Sequence, residues 1–311
     1  MKLTVATGDY AHTRPLAGKA LADEARRDLE LVWLPGRPGA IFRDALGKDA
    51  PFDVAEMSLA TAWALVDRRD RRFVALPAFP SRMYRLSAFY VGDGVDAPED
   101  LAGGRMGVVR YGQTAAVWAR ALLEERFGLS AADMQWWVTE RQDFEPPGLT
   151  LHDAGSMEKL EAMLLQGRLH CLLATSVPKA YLEGRVRRLF PDWAADELSL
   201  YRESGCLPIM HTIIVKTALI ETNPWLPSAL MSRFEAAKRV ALDWLADTDA
   251  TSLPVPLQHA WIDTAAGSRG EDLWPYGIAP NQDILDKFAD HMHAQGLTSR
   301  RVSPDEVFHP A

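Results

Sequence analysis

The stretch Gly107–Arg120, GVVRYGQTAAVWAR, reads as a strand, a turn and a helix in immediate succession. A short apolar run precedes the turn, and after it apolar residues recur at helical spacing. We expect Thr114 to cap the new helix through its side-chain oxygen, with Gln113 beside it. The backbone N–H groups of the first helical turn and the helix dipole would then favour an anion, such as a carboxylate. The alternative is an ordinary crossover of an α/β sheet with nothing bound.

Working outward, strands and helices alternate from residue 106 to residue 174, which is typical of a parallel α/β lobe. Extended runs at 86–91 and 209–215 flank this region and suggest the two crossings of a hinge. The sequence therefore predicts an α/β protein of two lobes. Residues 1–85 and 208–311 would form a discontinuous first lobe, and residues 86–207 the second.

Composition narrows the function classes. The chain has 311 residues, of which 48% are hydrophobic and 24% charged, as in ordinary globular proteins. The net charge of -8 and the lack of a basic block argue against nucleic acid as a partner. No apolar run approaches the roughly 18 residues that span a bilayer. Because no signal-type apolar region opens the chain, we expect a cytoplasmic protein with Cys171 and Cys206 unbridged. We also entertain a homo-oligomer of unspecified subunit number.

Polar residues follow several predicted strands, where ligands bind in open α/β sheets. Asp9 and His12 follow the first strand, Glu56 the third and Arg82 the fourth. His12 could bind a ligand, act as an acid or pin its loop through a hydrogen bond. Glu56 requires a cation, a metal or a set of hydrogen-bond donors, because a carboxylate is costly to bury alone.

Two further groups of residues are candidates. Arg82 and Arg85 lie near the first predicted crossing, where a guanidinium could clamp a carboxylate or pair with a structural aspartate. His211 lies within an apolar strand, where a core histidine with a carbonyl partner is the usual explanation. The chain has no Cys-x-x-Cys, His-Glu-x-x-His, Gly-x-Ser-x-Gly or phosphate-loop motif. This argues against the commoner hydrolases, zinc sites and nucleotide binders, and we expect no organic cofactor.

Seven motifs, taken in order, resemble the 4,5-dihydroxyphthalate decarboxylase family, an enzyme branch of the type II periplasmic-binding-protein fold. They are GDYAHT (8–13), FDVAEMS (52–58), FVALPAFPSR (73–82), YGQTAAVWAR (111–120), RRLFPD (187–192), PIMHT (208–212) and WPYG (274–277). The resemblance covers nearly the whole chain and implies that same two-lobed fold, with two hinge crossings.

The resemblance also implies an activity: non-oxidative loss of one carboxylate from a hydroxylated aromatic diacid, with 4,5-dihydroxyphthalate giving protocatechuate and CO2. Such chemistry needs a proton donor above the ring carbon and positive groups around a small aromatic dicarboxylate. On this reading His12, Glu56 and His211 form the catalytic cluster, which either donates the proton or binds a divalent metal. Substrate binding is assigned to a larger set: Asp9, Arg82, Arg85, Gln113 and Thr114.

Two other functions stay open at this stage. A solute receptor for an aromatic or other small carboxylate would need the same fold and the same anion-binding groups, but it should be exported. A biosynthetic enzyme on the same scaffold, resembling the thiamin-pyrimidine synthases, would require a His or Cys pattern that this chain lacks.

Overall fold

The computed structural model describes residues 1–18, 29–140, 146–251, 253–266, 272 and 274–310. Two sequence predictions fall partly outside this range. They are the helical or irregular piece ending near Ala25 and the loop predicted over 144–153. Within the described residues, no helix is both long and apolar enough to cross a membrane.

The structure is built from short strands and helices that alternate along much of the chain. The strands are β1 (Lys2–Gly8), β2 (Glu30–Gly36), β3 (Val54–Ser58), β4 (Phe73–Arg82), β5 (Phe89–Val91), β6 (Arg105–Val108), β7 (Gln135–Val138), β8 (Leu151–Asp153), β9 (Cys171–Leu173), β10 (Arg187–Arg188) and β11 (Ile209–Lys216). The helices are α1 (Pro38–Leu46), α2 (Leu59–Asp67), α3 (Thr114–Phe127), α4 (Met157–Leu165), α5 (Lys179–Leu182), α6 (Trp193–Ser204), α7 (Thr217–Thr222), α8 (Leu226–Ala246), α9 (Gln258–Ala266), α10 (Gln282–Ala294) and α11 (Pro304–Val307).

The chain divides into two compact units. Unit 1 comprises Met1–Arg82, His211–Leu285 and Ser303–Ala311, and unit 2 comprises Met83–Met210 and Asp286–Val302. The boundaries at 82/83 and 210/211 lie within a few residues of the predicted 85/86 and 207/208. The segment 286–302, predicted to belong to the first lobe, packs with unit 2 instead.

The side chains of the segment 286–302 explain that difference. The ring centroid of Phe288 lies 5.2 Å from that of Trp118, and Gln295 accepts a 2.7 Å hydrogen bond from the buried Arg120. Both partners are on α3. The sequence pattern predicts a helix over residues 281–295, which is α10, but it does not say which apolar surface this helix packs against.

Unit 1 is organised around a five-stranded sheet in the order β2-β1-β3-β11-β4. Strand β1 pairs in parallel with β2 and β3, whereas β11 runs antiparallel to β3. β3 is buried along its whole length, as expected of an interior strand with neighbours on both sides. β4 lies at the edge of the sheet, where its prolines Pro77 and Pro80 do not interrupt an interior ladder.

Unit 2 contains a six-stranded sheet in the order β10-β5-β9-β6-β7-β8. The run β9-β6-β7-β8 is parallel, as the sequence predicts, while β5 pairs antiparallel with β9 and β10 pairs antiparallel with β5. The two cysteines are free, Cys171 buried and Cys206 half-buried, which confirms the prediction of no bridge.

Some local predictions were wrong. Gln113 rather than Thr114 is the N-cap of α3; it makes no side-chain cap hydrogen bond, and Thr114 is already the first helical residue. Helix α6 was not predicted, because none of its residues is buried and no apolar stripe marks it in the sequence. Strand β8 lies within the predicted loop 144–153.

Candidate active site

Glu56 is the centre of the candidate site in unit 1. It lies inside β3 rather than after it, and its side chain is fully buried. Oε2 accepts a hydrogen bond of 2.5 Å from the backbone N–H of Gly8. Oε1 accepts one of 2.8 Å from the hydroxyl of Tyr10 and one of 2.5 Å from Nδ1 of His211. The sequence left open whether a cation, a metal or a set of hydrogen-bond donors satisfies Glu56. In the structure, a set of hydrogen-bond donors does so.

Sheet register explains why Glu56 and His211 meet. Across the β3–β11 ladder, His211 stands opposite Ser58, and Ile213 stands opposite Glu56. Side chains two residues apart on a strand point to the same face, so Glu56 and His211 are diagonal neighbours on one face of the sheet. That separation is within reach of long side chains.

The hydrogen bond to Glu56 assigns the tautomer of His211. A carboxylate can only accept, so Nδ1 of the imidazole carries the hydrogen and Nε2 is the position left for proton exchange. The side chain of His211 is 15% exposed, and the edge of Phe42 from α1 packs against its ring at 4.9 Å between centroids. The imidazole is therefore held through Nδ1 by a buried carboxylate, and a small part of its side chain remains exposed.

His12 has a different role in the structure. Its Nε2 donates a 2.8 Å hydrogen bond to the carbonyl oxygen of Pro80 on β4. Its ring stacks nearly parallel on Tyr10, with centroids 5.3 Å apart, and lies 5.6 Å from the ring of Trp274. Burial lowers the pKa of His12 below its ordinary value, against smaller opposing effects of the Pro80 hydrogen bond and of Glu56. Nδ1 of the neutral ring then bears no proton, so His12 is a poor general acid.

Arg82, at the end of β4, is buried and ties down a loop of the same unit. One nitrogen, Nη2, donates to the carbonyl oxygen of Pro275 at 2.5 Å and to Oδ1 of Asn281 at 2.6 Å. Trp274, the residue before Pro275, donates through Nε1 to the carbonyl oxygen of Phe79 and also faces His12. These contacts of Arg82 are to a carbonyl and an amide, where the sequence analysis predicted a substrate carboxylate or a structural aspartate.

Asp9 is the predicted binding residue with the least suitable environment. Its carboxylate is exposed and receives two hydrogen bonds from Arg14, at 2.7 Å and 3.2 Å. The pair lowers the pKa of Asp9, chiefly through these hydrogen bonds. A surface aspartate paired with Arg14 is an unfavourable neighbour for a dicarboxylate, and its role in substrate binding stays a prediction.

Three of the predicted binding residues belong to unit 2. Arg85 precedes a short 3-10 turn at Leu86–Ala88, and its charge favours the ionised carboxyl of Glu197. Gln113 and Thr114 form the start of α3, where the carbonyl of Gln113 accepts hydrogen bonds from the first helical turn. Their predicted approach to the Glu56–His211 pair stays a prediction.

The residues do not fit the predicted metal site. Among the described residues, no group of three or more His, Cys, Asp or Glu side chains is disposed to hold a metal ion. Both oxygens of Glu56 are engaged by protein donors, and the nitrogen of His211 nearest to them is one of those donors. The proposed chemistry therefore rests on these side chains themselves.

Sequence reasoning missed Tyr10 and Asn281. Tyr10 lies in the same GDYAHT stretch that singled out His12, but an aromatic residue in a loop gives no signal of a hydrogen bond to a residue 46 positions away. Asn281 marks the start of a predicted helix, and nothing in the sequence links it to Arg82, 199 residues earlier. For Trp118, Trp274 and Tyr276 the sequence leaves open a stack on a substrate ring or a place in the core, and favours the core. Trp118 and Tyr276 are buried, whereas Trp274 is half-buried beside His12.

Fold and site together define the class: a two-lobed α/β protein of the type II periplasmic-binding-protein kind that carries a buried carboxylate–imidazole pair. The chain superposes over its full length on the alkanesulfonate-binding protein SsuA from Xanthomonas axonopodis pv. citri bound to MOPS, with a TM-score of 0.55, 14% identity and 98% of that chain covered. At this identity the likeness shows the fold alone.

Sequence comparison is more specific. The chain is 35% identical over 324 aligned positions to the 4,5-dihydroxyphthalate decarboxylase of Comamonas testosteroni, covering all of this chain and 97% of that protein. It is 30% identical over 206 positions to the 4,5-dihydroxyphthalate decarboxylase of Pseudomonas putida, covering 62% of this chain and 78% of that protein. No family model matches the sequence. The chain belongs to the 4,5-dihydroxyphthalate decarboxylase family, whose named members are carboxy-lyases.

Proposed function

We propose that the protein removes one carboxylate from a hydroxylated aromatic diacid, and that 4,5-dihydroxyphthalate is converted to protocatechuate and CO2. The observation that carries the mechanism is the hydrogen bond from Nδ1 of His211 to the buried Glu56, which leaves Nε2 as the proton-exchanging position. Membership of the decarboxylase family supports the substrate class.

The proposed reaction consumes one proton. A ring hydroxyl para to the leaving carboxylate gives up its proton to solvent, and Nε2 of the His211 imidazolium protonates the ring carbon that bears the carboxylate. The C–C bond then breaks, CO2 leaves, and the bonding electron pair returns to the ring as the oxygen regains phenolate character. That oxygen takes back a proton and His211 is reprotonated from solvent. A positioned general acid typically contributes about a hundredfold to ten-thousandfold in rate.

Glu56 has two functions in this scheme. It fixes the ring orientation and tautomer of His211, and its negative charge stabilises the imidazolium that must exist before the proton is transferred. Because the carboxylate is buried and already bound by Gly8 and Tyr10, it needs little reorganisation when His211 gains or loses its proton.

We propose His12 as a residue of the site that positions neighbouring rings rather than one that protonates substrate. Its bond to Pro80 and its stacking on Tyr10 and Trp274 are the supporting contacts. For the substrate carboxylates we keep Arg85 and the start of α3 at Gln113 and Thr114 as proposed binding groups, because a helix N-terminus favours anions.

The function is tested by incubating the purified protein with 4,5-dihydroxyphthalate and measuring CO2 and protocatechuate together. Stoichiometric formation of both is expected. Turnover after exhaustive chelation should equal that of the untreated protein, whereas loss of activity restored by a divalent cation would establish a metal requirement.

The second candidate is a receptor for a small carboxylate, which the fold favours because SsuA is a binding protein. Binding of 4,5-dihydroxyphthalate without CO2 release would support this alternative. A cytoplasmic location and self-association remain part of the proposal, and cell fractionation and sedimentation of the purified protein would test them.

A further inference from the structure

The loop after β1 places the phenol of Tyr10 against the catalytic pair. Its hydroxyl donates to Oε1 of Glu56 at 2.8 Å, and the same oxygen accepts Nδ1–H of His211 at 2.5 Å. Tyr10 and His211 therefore share one acceptor atom. Because both donors bind the same carboxylate oxygen, each hydrogen bond weakens the other.

Several backbone contacts fix Tyr10 in this position. Its N–H donates to the carbonyl oxygen of Gly8 at 3.0 Å, and its own carbonyl accepts N–H groups of Thr13 and Arg14, each at 3.0 Å. The Thr13 side chain, fully buried, donates to the Gly8 carbonyl at 2.9 Å. The tyrosine is thus part of a tight loop, and its ring is further supported by the parallel stack on His12.

Gly8 is needed for the approach of this ring. A Cβ at position 8 would lie 2.3 Å from Cζ and 2.6 Å from the hydroxyl oxygen of Tyr10, well inside van der Waals contact. Side-chain atoms rather than backbone would have to move. An alanine at this position would therefore displace the phenol from Glu56, while its N–H could still donate to Oε2 as Gly8 does.

We propose that Tyr10 is a positioning residue that sets how readily the Glu56–His211 pair releases its proton. The inference rests on the proposed function and assigns one of the groups that control the same site. With the hydroxyl in place, the carboxylate holds the imidazolium less tightly, and transfer of the proton to a weakly basic ring carbon becomes easier. Without it, the carboxylate holds the imidazolium more tightly, and His211 delivers its proton more slowly.

Among the described residues, titratable and charged side chains near the Glu56–His211 pair are the following. The loop after β1 contributes His12 and Tyr10, and α1 contributes Phe42, which does not titrate. The charge of Arg82 and that of Glu56 both act on the buried Tyr276, and Lys238 acts on His12. Of these groups, Tyr10 has a hydrogen bond to the carboxylate that binds His211.

The test compares Tyr10→Phe and Gly8→Ala with the wild-type protein in pH–rate profiles for 4,5-dihydroxyphthalate. Both variants should lower the maximal kcat, and both should move the alkaline limb, where the general acid is lost, upward by about half to one pH unit. The matched control is Tyr84→Phe, which removes a tyrosine hydroxyl that donates to the Cys206 carbonyl oxygen at 2.9 Å in unit 2. Its profile should superimpose on that of the wild type.

A second measurement needs no turnover. Histidine ring signals are followed by NMR as a function of pH, with the His211 signal assigned by its loss in His211→Gln. In Tyr10→Phe and Gly8→Ala this signal should change at a higher pH than in the wild type. Such a shift without decarboxylation of the phthalate would support the role of Tyr10 while refuting the proposed function. An unchanged His211 titration in both variants would overturn the inference, as would reduced kcat with an unmoved alkaline limb.

Discussion

Replacing Glu56 by Gln removes the charge behind His211 with almost no change in shape. Glu56 receives three hydrogen bonds, two on Oε1 and one on Oε2, and an amide offers a single acceptor oxygen. If the amide oxygen faces Tyr10 and His211, the NH2 group meets the N–H of Gly8 as donor against donor. If the amide is flipped, His211 must surrender its Nδ1 hydrogen and adopt the wrong tautomer.

Both arrangements carry a cost that can be estimated. A buried donor left without an acceptor costs about 1–3 kcal/mol in free energy of unfolding. For the chemistry, the imidazolium loses its buried counter-charge, and we expect kcat to fall by about 10²–10⁴, equivalent to about 3–5.5 kcal/mol in activation free energy. CO2 release at saturating 4,5-dihydroxyphthalate measures the loss of kcat, and denaturant unfolding measures the loss of stability.

The matched control is Glu161→Gln in unit 2. The half-buried carboxylate of Glu161 accepts the N–H of Ala180 at 3.0 Å, so the amide again disturbs a backbone hydrogen bond. We expect a comparable or smaller loss of stability and a kcat within about threefold of wild type. If folded Glu56→Gln also kept a kcat within threefold of wild type, the role assigned to the pair would be refuted.

Two further predictions concern stability. Because burial lowers the pKa of His12 below its ordinary value of 6.5, the unfolded chain binds this proton more readily and stability falls as the pH drops below about 6.5. In His12→Gln this loss of stability at acid pH, followed by thermal unfolding across pH 5–8, should be shallower. An identical slope would contradict the assignment of a buried neutral ring. Lys238→Met should lower the free energy of unfolding by about 1–3 kcal/mol, because the buried ammonium donates to Asp272 at 2.6 Å and to the Trp274 carbonyl at 3.0 Å and so anchors the loop that reaches His12. Lys287→Met, which removes a 2.6 Å bond between the half-exposed Lys287 and Glu125, is the control and should change stability by less than about 1 kcal/mol.

Much of the fold was accessible from the sequence because strands and helices here carry strong periodic patterns. The sequence predicts a strand over residues 3–6 and helices over 41–46, 157–165 and 281–295. β1, α1, α4 and α10 lie within a few residues of these bounds, and the family motifs extended the two-lobed assignment to the whole chain. What the pattern could not supply was the partner of each element. The segment 286–302 shows this, since its helix was predicted and its packing on α3 was not.

The same distinction holds for the candidate site. Strand ends identified His12, Glu56 and Arg82, because polar residues there need an explanation. Their partners depend on register and on contacts over long sequence separations: Glu56 meets His211 across 155 residues. The hydrogen bond from His12 to Pro80 agrees with the alternative in which His12 fixes its loop. For His211 a carbonyl partner was expected, and the partner is the carboxylate of Glu56.

The most direct test of the central claim is the ratio of kcat values for His12→Gln and His211→Gln, measured as CO2 release from 4,5-dihydroxyphthalate at saturation. Glutamine can preserve a donor toward Pro80 at position 12, but at position 211 it cannot deliver a proton at neutral pH. We predict that His12→Gln retains at least about a hundredfold more activity than His211→Gln. Equal rates, or a greater loss at position 12, would contradict His211 as the proton donor.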